Sequence, residues 1–146
     1  PIAVGCGVIA CEQKHSLSND EWETFAGLFG DIALIEPVAG HLLSTASAVA
    51  GCGGAYACLF LEGLADGGVL CGLPRKKAQR MAAQMLLGMA TQALESDEHT
   101  GTLKDAVCSP AGSTIAGIRK LESMSFRSAA MEAVIAAYEK TLALKS

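Results

Sequence analysis

From Pro37 to Leu61 the sequence runs for 25 residues without an Asp, Glu, Lys or Arg. So long a stretch without charge must be covered by other apolar surface or enter a membrane. It also holds Pro37, His41, Ser44, Thr45, Ser47 and four glycines, and no unbroken apolar run within it reaches the ~18 residues of a span. The apolar helix that follows carries Glu62 and Asp66. We read the segment as buried in protein, with no membrane as partner.

What can cover it is limited by side-chain size. The chain has 25 alanines and 16 glycines, while aromatic residues are only 5%. Large rings cannot fill such a core, so its elements must approach closely through small side chains. At 51% hydrophobic and 18% charged, the 146 residues are expected to fold rather than stay disordered. Several helices have more apolar circumference than a 15.0 kDa monomer can bury. A second copy would cover it, because obligate dimer interfaces resemble a core cut in half.

A net charge of −4 gives no electrostatic reason to expect nucleic acid. The one basic cluster, Arg75-Lys76-Lys77 with Arg80, reads as a solvated helix face. The six cysteines form no CxxC, and the three histidines are not spaced with them as zinc ligands. They read as small buried hydrophobes in a reducing cytoplasm. The sequence opens at Pro1, without an initiator Met, a basic n-region or a cleavage site, and is expected to be a fragment of a longer protein.

Residues 2–11 read as a strand loosened by glycines. Ser18-Asn19-Asp20-Glu21 is a capping box, with Leu17 and Trp22 at the staple positions; its helix runs to about Phe29 and stops at Gly30. Asp31 to Ile35 is then a short apolar strand. After Pro37 the pattern is helical. One helix is expected from Val38 to Val49, and a small-residue break, Gly51-Cys52-Gly53-Gly54, precedes a fully buried helix from Ala55 to about Cys71. Further helices are expected from Arg75 to Leu94, with Pro74 suiting its first turn, from about Thr102, from Thr114 to Ser123 and from Phe126 to Leu144. The stripe Met81, Met85 and Met89 reads as packing surface.

The chemistry is concentrated between His99 and Gly117. Ser109-Pro110-Ala111-Gly112-Ser113-Thr114 forms a tight turn into a helix start. Unpaired backbone N–H groups there, with the hydroxyls of Ser109, Ser113 and Thr114, suit a carboxylate or phosphate, and Gly112 lets it approach the main chain. The plainer reading is that Ser113 or Thr114 is an N-cap. Two weaker constellations are a Cys108–His99 thiol nucleophile and a Glu62–Asp66 acid/base pair; packing and polar-seam roles fit them better.

Taken in order, several blocks share a resemblance. Leu64-Ala65-Asp66-Gly67-Gly68-Val69 is followed by Gly72-Leu73-Pro74-Arg75. Then come Leu103-Lys104-Asp105-Ala106-Val107-Cys108-Ser109-Pro110, Thr114-Ile115-Ala116-Gly117 and Ser125-Phe126-Arg127-Ser128-Ala129-Ala130. The sequence resembles the C-terminal part of pyrroline-5-carboxylate reductase over nearly its whole length, most specifically from Leu103 to Gly117. The resemblance implies a mostly α fold, an interlocked helical bundle completed in a homodimer or higher homo-oligomer, preceded by a small β-α-β remnant of a Rossmann-type sheet. Residues 1–36 would be the strand–helix–strand piece, and residues 37–146 the helical dimerisation and substrate-binding domain.

The activity implied is NAD(P)H-dependent reduction of 1-pyrroline-5-carboxylate, a small molecule, to L-proline. NADPH or NADH would be bound mainly by an N-terminal domain outside this sequence. Gly5-Cys6-Gly7 is followed by Val8 and Ile9 rather than by a helix start with a third glycine, so this chain alone is expected to be inactive. By resemblance, Ser109 and the backbone around Gly112, Ser113 and Thr114 would hold the substrate carboxylate. Thr114 would hydrogen-bond the ring nitrogen and assist its protonation as the catalytic residue.

Two blocks depart from the family pattern. Its usual Gly-Ser-Gly-Pro-Ala is here Gly51-Cys52-Gly53-Gly54-Ala55, a more flexible helix start. Its usual Ser-Pro-Gly-Gly-Thr-Thr has become Ser109 to Thr114, with Ala111 where positive φ is poorly tolerated. The alternative class is a non-catalytic oligomerisation module of the same fold. A reductase domain for another imine is a third reading.

Overall fold

A computed structural model describes residues 1–145 as a mostly helical chain with a two-stranded parallel sheet near its N-terminus. Strand β1 (Gly7–Glu12) pairs with β2 (Ala33–Val38) in the register Gly7 opposite Ala33 to Glu12 opposite Val38. Helix α1 (Asn19–Phe29) lies between them in sequence. The first strand starts later than the apolar run predicts, because Ile2–Val4 forms a 3-10 turn closed by Gly5 at φ 71°. The second runs on through Glu36 and Pro37 to Val38. A proline is tolerated there because each strand of a two-stranded sheet has one open edge.

The start of α1 follows its side chains closely. Ser18 Oγ accepts from the Glu21 N–H at 3.4 Å, and Glu21 Oε2 accepts from the Ser18 N–H at 2.8 Å. Trp22 stacks on His15 with ring centroids 4.6 Å apart, and the row continues through Phe25 to Phe29. Gly30 ends the helix where expected, as its C-cap in a right-handed conformation at φ −61°.

The expected break at Gly51–Gly54 is absent. Helix α2 (Leu43–Ala46) passes through a π-turn (Ser47–Gly51) directly into α3 (Cys52–Leu70). Each glycine lowers helix propensity by only about 1 kcal/mol, and helix already formed on both sides offsets that. The wider π-turn absorbs the mismatch without opening the chain. Helix α4 (Arg75–Glu95) starts from Pro74 as its N-cap. His99 caps α5 (Thr100–Ala106), its Nδ1 accepting from the Gly101 N–H at 3.0 Å. Helices α6 (Ser113–Ser123) and α7 (Phe126–Ala143) complete the chain.

The chain divides into two compact units, residues 1–56 with 131–146, and residues 57–130. In the first, Ala33, Ser44 and Ala48 are buried. Lys145 Nζ donates to Ser44 Oγ at 2.8 Å, and Tyr56 donates to the Ala133 carbonyl at 3.0 Å. In the second, Ala65, Ala78, Ala82 and Leu103 are buried. There α3 and α4 approach so closely that a Cβ added at Gly68 would lie 3.3 Å from that of Ala78. Phe60 and Phe126 pack at 5.2 Å.

Burial of α3 on all sides is not what the chain achieves alone. Only Ala65 of α3 is buried, while Leu59 is 71% and Leu70 91% exposed. The helical stretch Gly40–Leu70 is long and apolar enough to cross a membrane by length and composition. None of the six cysteines is buried either, and all are free thiols. The accessible surface is 10842 Å². A folded monomer of this mass would expose about 7,000 Å².

The Glu21 carboxyl is held below the usual carboxylate range by the hydrogen bond from the Ser18 N–H and then by that from its hydroxyl. Its folded pKa lies below its unfolded one, so the stabilisation is complete above the ordinary carboxylate pKa and fades as pH falls through the folded value. Glu21→Gln should therefore melt earlier than the parent at neutral pH, with the gap closing in acid. Melting curves by circular dichroism from pH 7 to pH 3 check this, and a gap that does not change with pH would contradict it.

Candidate functional site

The unit of residues 57–130 holds the candidate chemistry. Three earlier candidates are occupied otherwise. Asp66 is ion-paired with Arg75 across the turn between α3 and α4, and Glu62 is exposed. His99 spends its Nδ1 lone pair capping α5, and no hydrogen bond joins it to Cys108 among the described residues. Met81 and Met85 are exposed, lining an open groove on α4 with Lys77, Arg80 and Gln84. The basic cluster is solvated, apart from the Arg75 pair.

The segment Ser109–Thr114 is local in construction. The Gly112 N–H donates to the Ser109 carbonyl at 3.0 Å, closing a four-residue turn. Pro110 holds the second position with its ring-fixed negative φ, and Ala111 holds the third at φ 58°. That pairing is a type II turn, whose third position favours glycine. The alanine is thus accommodated in the left-handed region, at roughly 1–2 kcal/mol.

Gly112 is the N-cap of α6, at φ −74°, and no side chain caps that end. Ser113 and Thr114 instead open the helix, so neither is the N-cap of the plainer reading. The N–H groups of the first turn are therefore left for an outside acceptor. Gly112 is needed for space: a Cβ there would collide with Ser109 Oγ and lie 3.0 Å from the Ser109 carbonyl oxygen. The hydroxyl of Ser109 thus sits against the head of α6. Ser109, Ser113 and Thr114 are all exposed. The turn brings Ser109 and Gly112 together and puts Ser113 and Thr114 in the next two positions.

Two cations in this unit, Lys104 and Arg127, are within electrostatic reach of each other, a feature that the sequence reading passed over. Lys104, in the last turn of α5, is ion-paired with Asp105, and Arg127 Nε donates to Glu122 at 2.5 Å. The Asp105 hydrogen bond raises the Lys104 pKa against a smaller desolvation effect; the charges of Cys108 and Arg127 also reach it. The Glu122 hydrogen bond raises that of Arg127. Both shifts favour the charged forms of the two side chains. Both stand in the quoted blocks, so the signal was present without a fold to bring the two together.

Gly5–Gly7 leads into β1, and the next helix begins only after Ser18, so no helix N-terminus faces the glycines as a pyrophosphate seat requires. No group of three or more His, Cys, Asp or Glu side chains among the described residues could hold a metal ion.

Comparison with known proteins gives a consistent result. A family profile described as pyrroline-5-carboxylate reductase dimerisation matches residues 41–144. A pyrroline-5-carboxylate reductase from Synechocystis sp. is 43% identical over 97% of this chain and 53% of its own length. That of Treponema pallidum is 44% identical over 94% and 52%. The chain spans about half the length of the curated relatives it matches. Among solved structures, the Plasmodium falciparum pyrroline carboxylate reductase with NADP bound superposes with a TM-score of 0.88 at 33% identity, covering 100% of this chain and 59% of that one. Since the profile spans most of the sequence and the resemblance extends through the sheet, the chain belongs to the pyrroline-5-carboxylate reductase family, with the family's dimerisation region at residues 41–144.

Proposed function

We propose that this chain is the substrate-binding and dimerisation part of a reductase that converts 1-pyrroline-5-carboxylate to L-proline with NADPH or NADH. Residues 37–146 would form that part, and residues 1–36 the last strand–helix–strand piece of a Rossmann-like domain. The observation that carries the reading is the uncapped N-terminus of α6 behind the Ser109–Gly112 turn. It lies inside the region matched by the family profile.

The substrate carboxylate is taken by the N–H groups of Ser113 and Thr114 and by the Ser109 hydroxyl, with Gly112 leaving room for its approach. Thr114, on the first turn of α6, donates to the ring nitrogen and assists its protonation as the C=N bond is reduced. The cofactor would be held mainly outside the residues present, whose part lies on the substrate side. The partner is a second copy of the chain, in a homodimer or a larger homo-oligomer. The uncovered leucines of α3 and the exposed methionines of α4 support this. Neither nucleic acid nor a membrane is proposed as partner, and the setting is the cytoplasm, where free thiols persist.

Three outcomes follow. Light scattering of the purified chain at micromolar concentration should give at least a dimer; a monomer would leave the apolar surface unexplained. The chain alone should not oxidise NAD(P)H in the presence of pyrroline-5-carboxylate, and turnover would contradict the assignment of roles. In a full-length enzyme, Thr114→Ala should lower kcat/KM by about tenfold or more. An unchanged rate removes Thr114 from the mechanism, and absence of L-proline binding by the dimer favours a structural module without catalysis.

A further inference from the structure

Helix α4 carries its charges against its own dipole. Its first turn holds no acid and its last turn no base. Instead Arg75, Lys76, Lys77 and Arg80 crowd the positive end, and Glu95 closes the negative one. Both placements cost the isolated helix stability. Arg75 is paired with Asp66, but among the described residues no carboxylate pairs with Lys77 or Arg80, and no cation with Glu95.

The helix buries Ala78 and Ala82 in its own unit, with Ala78 beside Gly68 of α3. A second stripe, Lys77, Met81, Gln84, Gly88, Thr91 and Glu95, alternates steps of four and three residues, the spacing of a coiled-coil seam. All six are exposed, and they line two open grooves that share Gln84. Laid antiparallel on a second copy, this stripe is its own complement. Lys77 then meets Glu95, Met81 meets Thr91, and Gln84 meets Gly88, where the missing side chain leaves room for the larger one. The same arrangement sets each helix start beside the other's end, so the two dipoles attract. We propose that the α4 helices of two copies pair antiparallel about a two-fold axis, in the register Lys77 opposite Glu95. The proposal rests on the homo-oligomer reading above and adds the helix, the direction and the register of contact. The seam lies inside residues 41–144, the family's dimerisation region.

The test reverses the charges. Lys77→Glu gives α4 an acid in its first turn and Glu95→Lys a base in its last, so each suits the helix dipole and leaves the protomer no less stable. Each should nevertheless raise the dimer dissociation constant about tenfold, because symmetry puts two like-charge pairs in the interface. The double variant should return to the parent value. Along one helix the two positions are about 27 Å apart, beyond the ~10 Å reach of exposed charges in salt, so rescue has to act between chains. Co-expression of the two single variants should give heterodimers, resolved by ion exchange, well above the half that random pairing yields. A Cβ at Gly88 would meet nothing within 4 Å in its own chain, so Gly88→Leu improves the helix and yet should weaken the dimer. Single variants that dimerise like the parent, a double variant without rescue, or random pairing overturns the proposal and leaves the homo-oligomer reading intact. A parent chain that sediments as a monomer at micromolar concentration sinks both.

Discussion

The apolar faces of α3, α4 and α7 need more cover than contacts within the chain provide, and the rest of the structure depends on that shortfall. Among the described residues, the buried hydrophobic ones are five alanines and Leu103. Small side chains permit close approach, as between Gly68 and Ala78, yet each contributes little area to burial. Leu59, Leu70, Met81 and Met131 remain open to solvent. A folded chain that leaves such surface bare gains too little from the hydrophobic effect to offset its ordering entropy. The family's dimerisation region coincides with this surface.

The proposed carboxylate seat depends on far less. It is made within six consecutive residues by one turn hydrogen bond, one proline, one positive φ and an uncapped helix start. Local construction explains why such a site can remain formed on an exposed surface. Lys104 and Arg127 are each paired with a carboxylate of their own.

Much of this was legible in the sequence wherever the controlling interaction is short-range. Ser18 and Glu21 stand three residues apart and form the expected capping box. Three features were less legible, each for its own physical reason. The glycines from Gly51 to Gly54 look like a break, but helix on either side carries the backbone through a π-turn. The first strand looks as if it starts at Ile2, yet Ile2–Val4 forms a 3-10 turn and β1 begins only at Gly7. The sheet extends past Pro37 because the strand opposite continues to Glu12, a contact that no local propensity encodes.

Ala111 marks the division most clearly. Its identity and that of Pro110 are matters of sequence, and together they say that a type II turn is strained there. That the strained form is adopted is seen only in the structure, where Ala111 stands at φ 58° and Ser109 lies against Gly112. By itself, the sequence determined the family, the helical pattern, the anion-suited turn and the need for outside cover. Tertiary structure decided which groups meet: Lys145 with Ser44, and Tyr56 with the Ala133 carbonyl. The reason is range: backbone propensity acts over a few residues, whereas these meetings require segments far apart in the chain to be packed together.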